Sequence, residues 1–372
     1  MNTINGDSTN RPGTGAGITD RAHDVMMEVA TAHRIPGMTV AIATPDALLY
    51  AGAVGHADLA DRRPASVHDQ YPWFSMTKIA TATTAIRLHR AGVLDLDAPI
   101  GGYLPDYRPH PKHGHPTMRH LLTHTAGLSN PVPVRWVRLE HQPADAAAIA
   151  KIVAKHGTPV RAVGKKASYS NIGYLLAGEV IAAASGHSVE DNVRHHVLQP
   201  LSMTTTGYDH QPDAPRSVGY VRLPRPAVPL LRAALPSGLV GHRVAGRSAL
   251  NPFLINGAAF GGLIGTVTDA ARLAAVHAAQ PHHPERLLPH DEIESMRTIA
   301  SPGKRFDHGI GWFRKPDDAH RTPGFVEHYG TGCGYWNAMR IYPERRLAMV
   351  AMTNTTYAWD VDRLFTRLEE LS

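Results

Sequence analysis

Short apolar segments rich in β-branched residues lie near both ends of the 372-residue chain, and the long stretch between them has helical patterns. Residues 38–43 and 47–54 flank a Thr-Pro-Asp turn, which is typical of two antiparallel strands. Strand-like segments return at 309–313, 335–342 and 347–353. Joining strands from both ends in one sheet is the most economical arrangement. The pattern therefore predicts an α+β fold, with an antiparallel sheet flanked by helices.

The helical segments define the rest of the predicted architecture. Apolar residues recur at helical spacing at 22–32, 75–90, 118–123, 144–156, 172–185 and 361–371. Because the middle segments have no strand alternation among them, we predict that a mostly helical domain, residues 93–261, is inserted into the chain. The α/β domain is then discontinuous and consists of residues 18–92 and 262–372. Residues 1–17 are polar and glycine-rich and are predicted to form a disordered tail.

The composition excludes several classes of protein. The chain is 43% hydrophobic and 19% charged, unlike a disordered chain. No apolar run reaches the length of about 18 residues that a membrane-spanning helix needs, and the first twenty residues lack a secretory signal. The net charge of +6 is mild and gives no argument for nucleic-acid binding. Cys333, the single cysteine, cannot form an internal disulfide, so we expect a cytoplasmic protein.

One segment of the predicted helical domain is both apolar and basic. Between residues 214 and 268 there is no Asp or Glu. The arginines of this stretch alternate with Leu, Val and Pro clusters and are Arg216, Arg222, Arg225, Arg232, Arg243 and Arg247. We predict that residues 214–256, here called the lid, form an irregular cover packed on the body of the protein. The alternative is peripheral contact with a membrane surface or an acidic partner.

Ser75 and Lys78 form an S-x-x-K pattern at the start of the helix predicted at 75–90. At a spacing of i,i+3 the two side chains share a helix face, so the lysine can reach the hydroxyl. A partly buried lysine with a lowered pKa can help to remove the serine proton and create a nucleophile. A second match, from Ser301 to Lys304, contains Pro-Gly and cannot be helical. The alternative for Ser75 is an N-cap serine followed by a solvent-facing lysine.

Tyr169 and Asn171 lie at a loop-to-helix junction, directly before the helix predicted at 172–185. A phenol beside a lysine ammonium can have a lowered pKa and act as a base. Asn171 would orient the lysine or a substrate amide. The alternative is an ordinary boundary tyrosine with an asparagine N-cap. The same Tyr-x-Asn pattern at residues 335–337 lies in strand-like sequence, where Tyr and Trp are expected to pack.

A glycine-rich segment, residues 328–334, precedes the strand predicted at 335–342. Glycines let the backbone approach a ligand closely. The amide of Thr331 would pair with the amide of Ser75 as an oxyanion hole, and His328 would contact the substrate. The alternative is that this segment is a glycine-rich part of a β-hairpin and that His328 lies on the protein surface.

Taken in this order, the three motifs resemble those of the serine β-lactamase-like and penicillin-binding-protein-like superfamily. The resemblance is strongest to its class C-like branch, which contains esterases, D-stereospecific peptidases and β-lactamases. Residues 92–107, 116–129, 261–274 and 334–344 are also similar to recurrent sequences of that branch. The resemblance covers nearly the whole chain after the tail. It implies an α/β domain with an antiparallel sheet, a helical domain, and an active site between them.

The resemblance also implies roles for the site residues. Ser75 would be the acylated nucleophile, and Lys78 and Tyr169 would share the general acid and base roles as a coupled pair. Asn171 would position groups in the cleft.

His328 and Gly330 would line the wall of the cleft opposite Tyr169 and Asn171. Efficient β-lactamases of this type usually present a lysine where this chain has His328, and a neutral imidazole binds a carboxylate less firmly. We therefore expect a serine hydrolase that acts on carboxylic esters. The alternatives are a D-amino-acid peptidase or amidase, an acyltransferase, a weak β-lactamase and a non-catalytic binding module.

No metal or other cofactor is predicted, and the expected partner is a small-molecule ester or amide. The histidines at 110, 113 and 115 are interrupted by Pro or Gly. His120 and His124 are spaced i,i+4 but lack an acidic partner, so hydrogen bonds at a helix end are expected for them. Cys333 is interpreted as a small residue at a close backbone approach.

Overall fold

An antiparallel sheet of eight strands runs through the computed structural model, which describes residues 14–133, 136–281 and 287–372. The strands of the described chain are β1 (Gly37–Ala43), β2 (Leu48–Asp58), β3 (Arg63–Pro64), β4 (Tyr71–Pro72), β5 (Val137–Leu139), β6 (Tyr220–Val221), β7 (Val240–Val244), β8 (Arg247–Leu250), β9 (Phe253–Ile255), β10 (Ile264–Gly265), β11 (Asp307–His308), β12 (Phe313–Arg314), β13 (Val326–Gly332), β14 (Tyr335–Tyr342) and β15 (Leu347–Thr353).

The helices surround this sheet and fill the middle of the chain. They are α1 (Thr14–His33), α2 (Thr77–Arg90), α3 (Met118–Leu122), α4 (Ala146–His156), α5 (Asn171–Ser185), α6 (Val189–Val193), α7 (Val228–Ala234), α8 (Ala258–Gly261), α9 (Val267–Val276), α10 (His290–Arg297) and α11 (Val361–Glu369). None of the helices in the described residues is long and apolar enough to cross a membrane.

The large sheet joins the two ends of the chain, and the predicted α+β fold is confirmed. Its strand order is β11-β12-β13-β14-β15-β1-β2-β3. At the centre, β1 pairs antiparallel with β15, so that Met38 lies opposite Thr353. Both of these strands are buried along their whole length because helices cover the two faces of the sheet.

The two faces of β1 belong to different parts of the core. Met38, Val40 and Ile42 pack in the cluster that contains α1 and α11, whereas Ala41 and Ala43 pack in the cluster that contains α2 and α9. Side chains of a strand alternate between its faces, so one short apolar run supplies both layers. The second, larger cluster also contains the helices of the middle region and places them next to the sheet.

Several predicted boundaries differ from the structure. Residues 1–13 of the predicted tail lie outside the described residues, but residues 14–17 form the first turn of α1. The strand predicted at 309–313 is wrong, because β11 and β12 flank a connection in which Gly311 has a φ of +78°. The pattern does not predict β13, since its glycines lower the propensity for strand.

The middle region contains more strand than predicted. β5 pairs with β9, and β6, β8 and β7 form a three-stranded sheet. The prediction of an irregular lid is therefore wrong, since the lid holds this small sheet and α7. The lid does pack on the body, because the Tyr335 hydroxyl donates to the Ser217 carbonyl at 2.7 Å. The domain boundaries at residues 93 and 261 stay a prediction.

Candidate active site

Ser75 lies in a tight turn that begins the helical segment predicted at 75–90. A 3₁₀ turn, Phe74–Met76, precedes α2. Phe74 has a φ of +48°, which is costly for a residue with a Cβ and indicates that its surroundings hold it in place. Its ring packs against Phe253 and Tyr335, each at 6.2 Å between ring centroids. The turn leaves the side chain of Ser75 half-buried at the start of α2.

Lys78 lies one helical turn after Ser75 and is completely buried. Its Nζ is 3.0 Å from Ser75 Oγ, 2.8 Å from Asn171 Oδ1 and 2.9 Å from the Phe260 carbonyl oxygen. Burial holds the pKa of Lys78 well below its usual value. After losing one proton, the amine can still donate to the two carbonyl oxygens, and its lone pair then faces Ser75 Oγ. The structure thus contradicts the alternative of a solvent-facing lysine.

Asn171 is the first residue of α5, and its side chain is free to reach Lys78 because another residue caps the helix. The N-cap is Ser170, whose hydroxyl accepts the N–H of Gly173 at 3.2 Å. The backbone N–H of Asn171 donates to Asn130 Oδ1 at 2.9 Å. The alternative of an asparagine N-cap is therefore wrong by one position.

Tyr169 lines the same cavity as Ser75, and its ring centroid is 5.0 Å from Lys78 Nζ. Burial raises the pKa of Tyr169, and the nearby Ser75 hydroxyl offsets only part of this rise. The expected lowering of the tyrosine pKa is therefore not found. The phenol keeps its proton near neutral pH, whereas burial shifts Lys78 toward the neutral amine.

Three histidines surround the Tyr169 ring. His124, His308 and His328 have ring centroids 4.5, 6.2 and 6.3 Å from it. Burial lowers the pKa of all three, to about 4 for His308, so the imidazoles are neutral at pH 7. His124 Nδ1 accepts the N–H of Ser170 at 3.1 Å, which fixes the ring behind the tyrosine.

Strand β13 lies on the other side of Ser75, where His328 and Thr331 line the cavity and Gly330 does not. Gly330 lies against the turn that carries Ser75, since a Cβ at this position would overlap the carbonyl of Trp73. His328 is 2% exposed, and its Nδ1–H donates to the Tyr329 carbonyl at 2.8 Å, which leaves Nε2 without a proton. Thr331 is exposed on the same strand. The pairing of the Thr331 and Ser75 amides as an oxyanion hole stays a prediction.

These residues lie at a cavity of about 800 Å³, here called the catalytic cavity. The predicted site residues that line it are Ser75, Tyr169, Asn171, His328 and Thr331. Val221, Leu231 and Leu235 of the lid supply an apolar wall, and the exposed Lys304 and Arg305 lie at the rim. None of the described residues that line the cavity is an Asp or a Glu. The cavity therefore combines an apolar surface with a mildly positive rim.

Some residues of the site carry no clear signal in the sequence. Phe260 contributes its backbone carbonyl and a ring centroid 5.3 Å from Lys78 Nζ, and Asn130 contacts the site from a loop. Asn337 donates through Nδ2 to the Pro72 carbonyl at 2.8 Å and so ties β14 to the segment before Ser75. Trp336 lines the cavity. Their polar or aromatic character is visible in the sequence, but their position beside Ser75 is set by the sheet.

The histidine pair considered as metal ligands, His120 and His124, makes hydrogen bonds within the protein. His120 Nδ1 accepts the N–H of Thr117 at 3.1 Å in a capping box at the start of α3. No cluster of three His, Cys, Asp or Glu side chains suited to a metal ion occurs in residues 14–133, 136–281 and 287–372. Cys333 lines the catalytic cavity, but burial raises the pKa of its thiol and disfavours the nucleophilic thiolate.

Comparison with known proteins places this geometry in a family. Residues 20–371 match the family model described as Beta-lactamase. Esterase EstB of Burkholderia gladioli is 26% identical over 92% of each chain. Penicillin-binding protein 4* of Bacillus subtilis (strain 168) is 25% identical over 87% of this chain and 68% of that protein.

Solved structures show the same fold. The crystal structure of D-amino acid amidase from Ochrobactrum anthropi SV3, complexed with L-phenylalanine amide, aligns with a TM-score of 0.75 at 22% identity. The alignment covers 96% of this chain and 98% of the amidase. The family match includes all three motifs, so the predicted resemblance is confirmed. The chain belongs to the β-lactamase family and is a serine hydrolase of that fold.

Proposed function

We propose that this protein hydrolyses carboxylic esters through an acyl-enzyme on Ser75. The observation that carries the proposal is the contact between Ser75 Oγ and the buried Lys78, beneath a cavity with an apolar wall. Lys78 has two carbonyl oxygens as its other hydrogen-bond acceptors, so no carboxylate among the described residues is bonded to it to hold it in the charged form. The similarity to esterase EstB supports the same activity.

Acylation begins with proton transfer. Lys78, as the neutral amine, takes the proton of Ser75 while Oγ attacks the ester carbonyl. When the bond to the leaving oxygen breaks, Tyr169 gives that oxygen its phenolic proton and recovers one from the Lys78 ammonium. Deacylation uses a water molecule in place of the alcohol and restores Ser75 as the acid leaves. Tyr169 therefore relays a proton in this scheme, and Lys78 is the base.

The tetrahedral intermediate needs donors for its negative oxygen. The amides of Ser75 and Thr331 would supply them, and the start of α2 adds positive potential near the reacting carbonyl. Asn171 holds Lys78 in place through the 2.8 Å contact and so sets the direction of proton transfer.

The chemistry of the cavity favours neutral acyl esters over the alternatives. A D-amino-acid amide carries an ammonium, and no acidic side chain among the described lining residues would bind it. A β-lactam carries a carboxylate, which the neutral His328 binds less firmly than a lysine would. The intact contacts of Ser75, Lys78 and Tyr169 argue against a non-catalytic module. Acyl transfer to an alcohol would use the same acyl-enzyme.

We also propose a cytoplasmic location for the enzyme. Cys333 is the single cysteine of the chain, so the fold depends on no internal disulfide. Fractionation of cells that produce the protein tests this, and recovery outside the cytoplasm would contradict it.

The test compares p-nitrophenyl butyrate, a cephalosporin and D-phenylalanine p-nitroanilide, with intact-protein mass after brief exposure to each. We expect turnover of the ester and an acyl mass increment, both lost in Ser75→Ala. Ser301→Ala is the matched control, because Ser301 begins the second S-x-x-K match and does not line the catalytic cavity. Faster turnover of the lactam or the anilide would replace the esterase proposal, and the absence of any acylation would favour the binding module.

A further inference from the structure

A second cavity, of about 1040 Å³, lies next to the catalytic cavity. It is lined by α4 and by the segment that runs from α7 to β7. Its lining is mixed, with apolar side chains from Trp136, Ile149, Ile152, Val240 and Leu235 beside the polar Arg138, Gln142, Asp145, Arg232, Ser237 and Asn256. Among the described residues, Leu235 is the one that lines both cavities. The side chain of Leu235 therefore lies between the space above Ser75 and the second cavity.

The backbone holds Leu235 firmly in this position. It is the C-cap residue of α7, with extended backbone at φ −98° and ψ 161°, and its N–H donates to the Leu231 carbonyl at 3.1 Å. Its side chain is 7% exposed, so it is packed between the cavities rather than free in solvent. Leu231, one turn earlier, lines only the catalytic cavity.

We propose that Leu235 sets the acyl-chain length that the enzyme accepts, and that the second cavity receives the distal part of a longer apolar chain. The proposal rests on the ester hydrolysis proposed above, since the carbonyl must sit at Ser75. An acyl chain that extends from Ser75 along the lid meets Leu231 and Leu235 in turn. Each methylene that is buried against apolar side chains such as Leu235 and Ile149 can raise kcat/KM by up to about fourfold, so a longer chain is favoured where Leu235 leaves room for it.

The test measures kcat/KM for p-nitrophenyl butyrate and p-nitrophenyl octanoate, and takes the ratio of octanoate to butyrate. Leu235→Ala opens the wall and is expected to raise this ratio at least about tenfold. Leu235→Phe fills the same space and is expected to lower the ratio by a similar factor, and it keeps the test valid if Leu235→Ala does not fold. Leu230→Ala is the matched control, because Leu230 lies on the same helix but is 73% exposed and lines neither cavity, so the ratio should stay within about threefold of wild type.

A second substitution tests the path of the chain. Ala148 of α4 lines the second cavity and not the first, so Ala148→Trp should fill it from the far side. In the Leu235→Ala background this change is expected to return the ratio to the wild-type value. Such a reversal is the coupling expected of two residues around one space. A ratio that stays high would show that the chain takes another path and would overturn the proposal.

Failure of this proposal is distinguishable from failure of the esterase proposal. If wild type turns over no ester, ethyl and octyl fluorophosphonates report on the same space, because labelling of Ser75 needs no turnover. The ratio of their labelling rates should respond to Leu235→Ala and Leu235→Phe in the directions given above. Folded variants, checked by thermal unfolding, whose ratio stays within twofold of wild type would overturn the role of Leu235 in either assay.

Discussion

At the scale of single residues, the site is built around a buried lysine that has no carboxylate partner in the part of the chain that the structure describes. Nζ of Lys78 faces Ser75 Oγ and two carbonyl oxygens. Carbonyl oxygens accept hydrogen bonds from an ammonium and from an amine alike, so burial decides the protonation state. The same burial keeps Tyr169 protonated. The opposite shifts of these two neighbouring pKa values support the proposal that Lys78 is the base and Tyr169 the acid.

Replacing Lys78 by arginine should abolish most of the activity. The Lys78→Arg variant keeps a positive charge, but a guanidinium does not give up its proton near neutral pH. We expect kcat to fall by about 10²- to 10⁴-fold, the usual contribution of general base catalysis. Steady-state kinetics with p-nitrophenyl butyrate measure this.

The pH profile gives a second readout of the same change. Since only the neutral amine accepts a proton, kcat/KM of wild type should rise with pH through the lowered pKa of Lys78. The Lys78→Arg variant should lack this ionisation. A profile with the same acidic limb in both proteins would assign it to another group, such as the coupled Tyr169.

Local spacing could predict only contacts between residues that are close in sequence, whereas Tyr169, Asn171 and His328 were placed in the site by their motifs and the family resemblance. The contact of Ser75 with Lys78 follows from helical spacing alone. His308 and the Phe260 carbonyl reach the site from distant segments, and no local pattern encodes their positions. His124 lies in a family-like segment, but its place behind Tyr169 depends on how α3 and α5 pack.

At the scale of elements, the close approach of β13 to the turn before α2 shapes the site. Gly330 lies on the Trp73 carbonyl, and Gly332 lies on the ring of Phe74. The glycines lower the strand propensity of β13, which is why the pattern did not predict it, yet they are what allows it to lie there. The same glycines that weakened the strand prediction therefore indicate the close approach of the two backbones.

A side chain at this approach should displace the nucleophile. In Gly330→Ala the new Cβ would overlap a backbone atom, so the strand or the turn must move. We expect a loss of about 1–3 kcal/mol in the free energy of unfolding and about 10²-fold in kcat. Urea unfolding and ester turnover measure the two effects. Gly324→Ala is the matched control, because nothing lies within 4 Å of a Cβ at that position, and equal effects in both variants would contradict the explanation.

At the scale of the whole molecule, buried histidines make stability depend on pH. Burial lowers the pKa of His277 to about 3 and of His308 to about 4, whereas the unfolded chain has a value near 6.5. Between these values the unfolded state binds more protons than the folded state. The free energy of unfolding therefore falls as pH drops from about 6.5 toward 4, and it is unaffected by these groups above that range.

We expect a loss of about 2 kcal/mol for each of the two histidines between pH 7.5 and pH 4.5. Urea unfolding at the two pH values measures it. His277→Leu removes one of the groups, whose Nδ1 has no hydrogen-bond partner within the described part of the chain, and should lose less stability on acidification. A variant with the full wild-type pH dependence would show that His277 does not contribute.

The overall fold was predictable because strand patterns at both ends leave few ways to form one sheet. The confirmed order places β1 beside β15 at its centre. The small sheet of the lid was not predictable, since two-residue strands such as β6 are too short to show alternation. Its pairing depends on contacts with Gly334 and Thr355 at the far end of the chain.

The pairing of β1 with β15 has a consequence for how the protein is made. Their paired residues are roughly 300 positions apart, so a ribosome working at about 5–20 residues per second needs roughly 15–60 s to supply the partner. During that time the nascent chain carries an apolar strand with an open edge, which is a site for misassociation unless a chaperone covers it. The serine is translated early, but β13 that forms its wall arrives late. A chain released before residue 332 therefore contains Ser75 but lacks part of strand β13, which packs against the turn that carries Ser75.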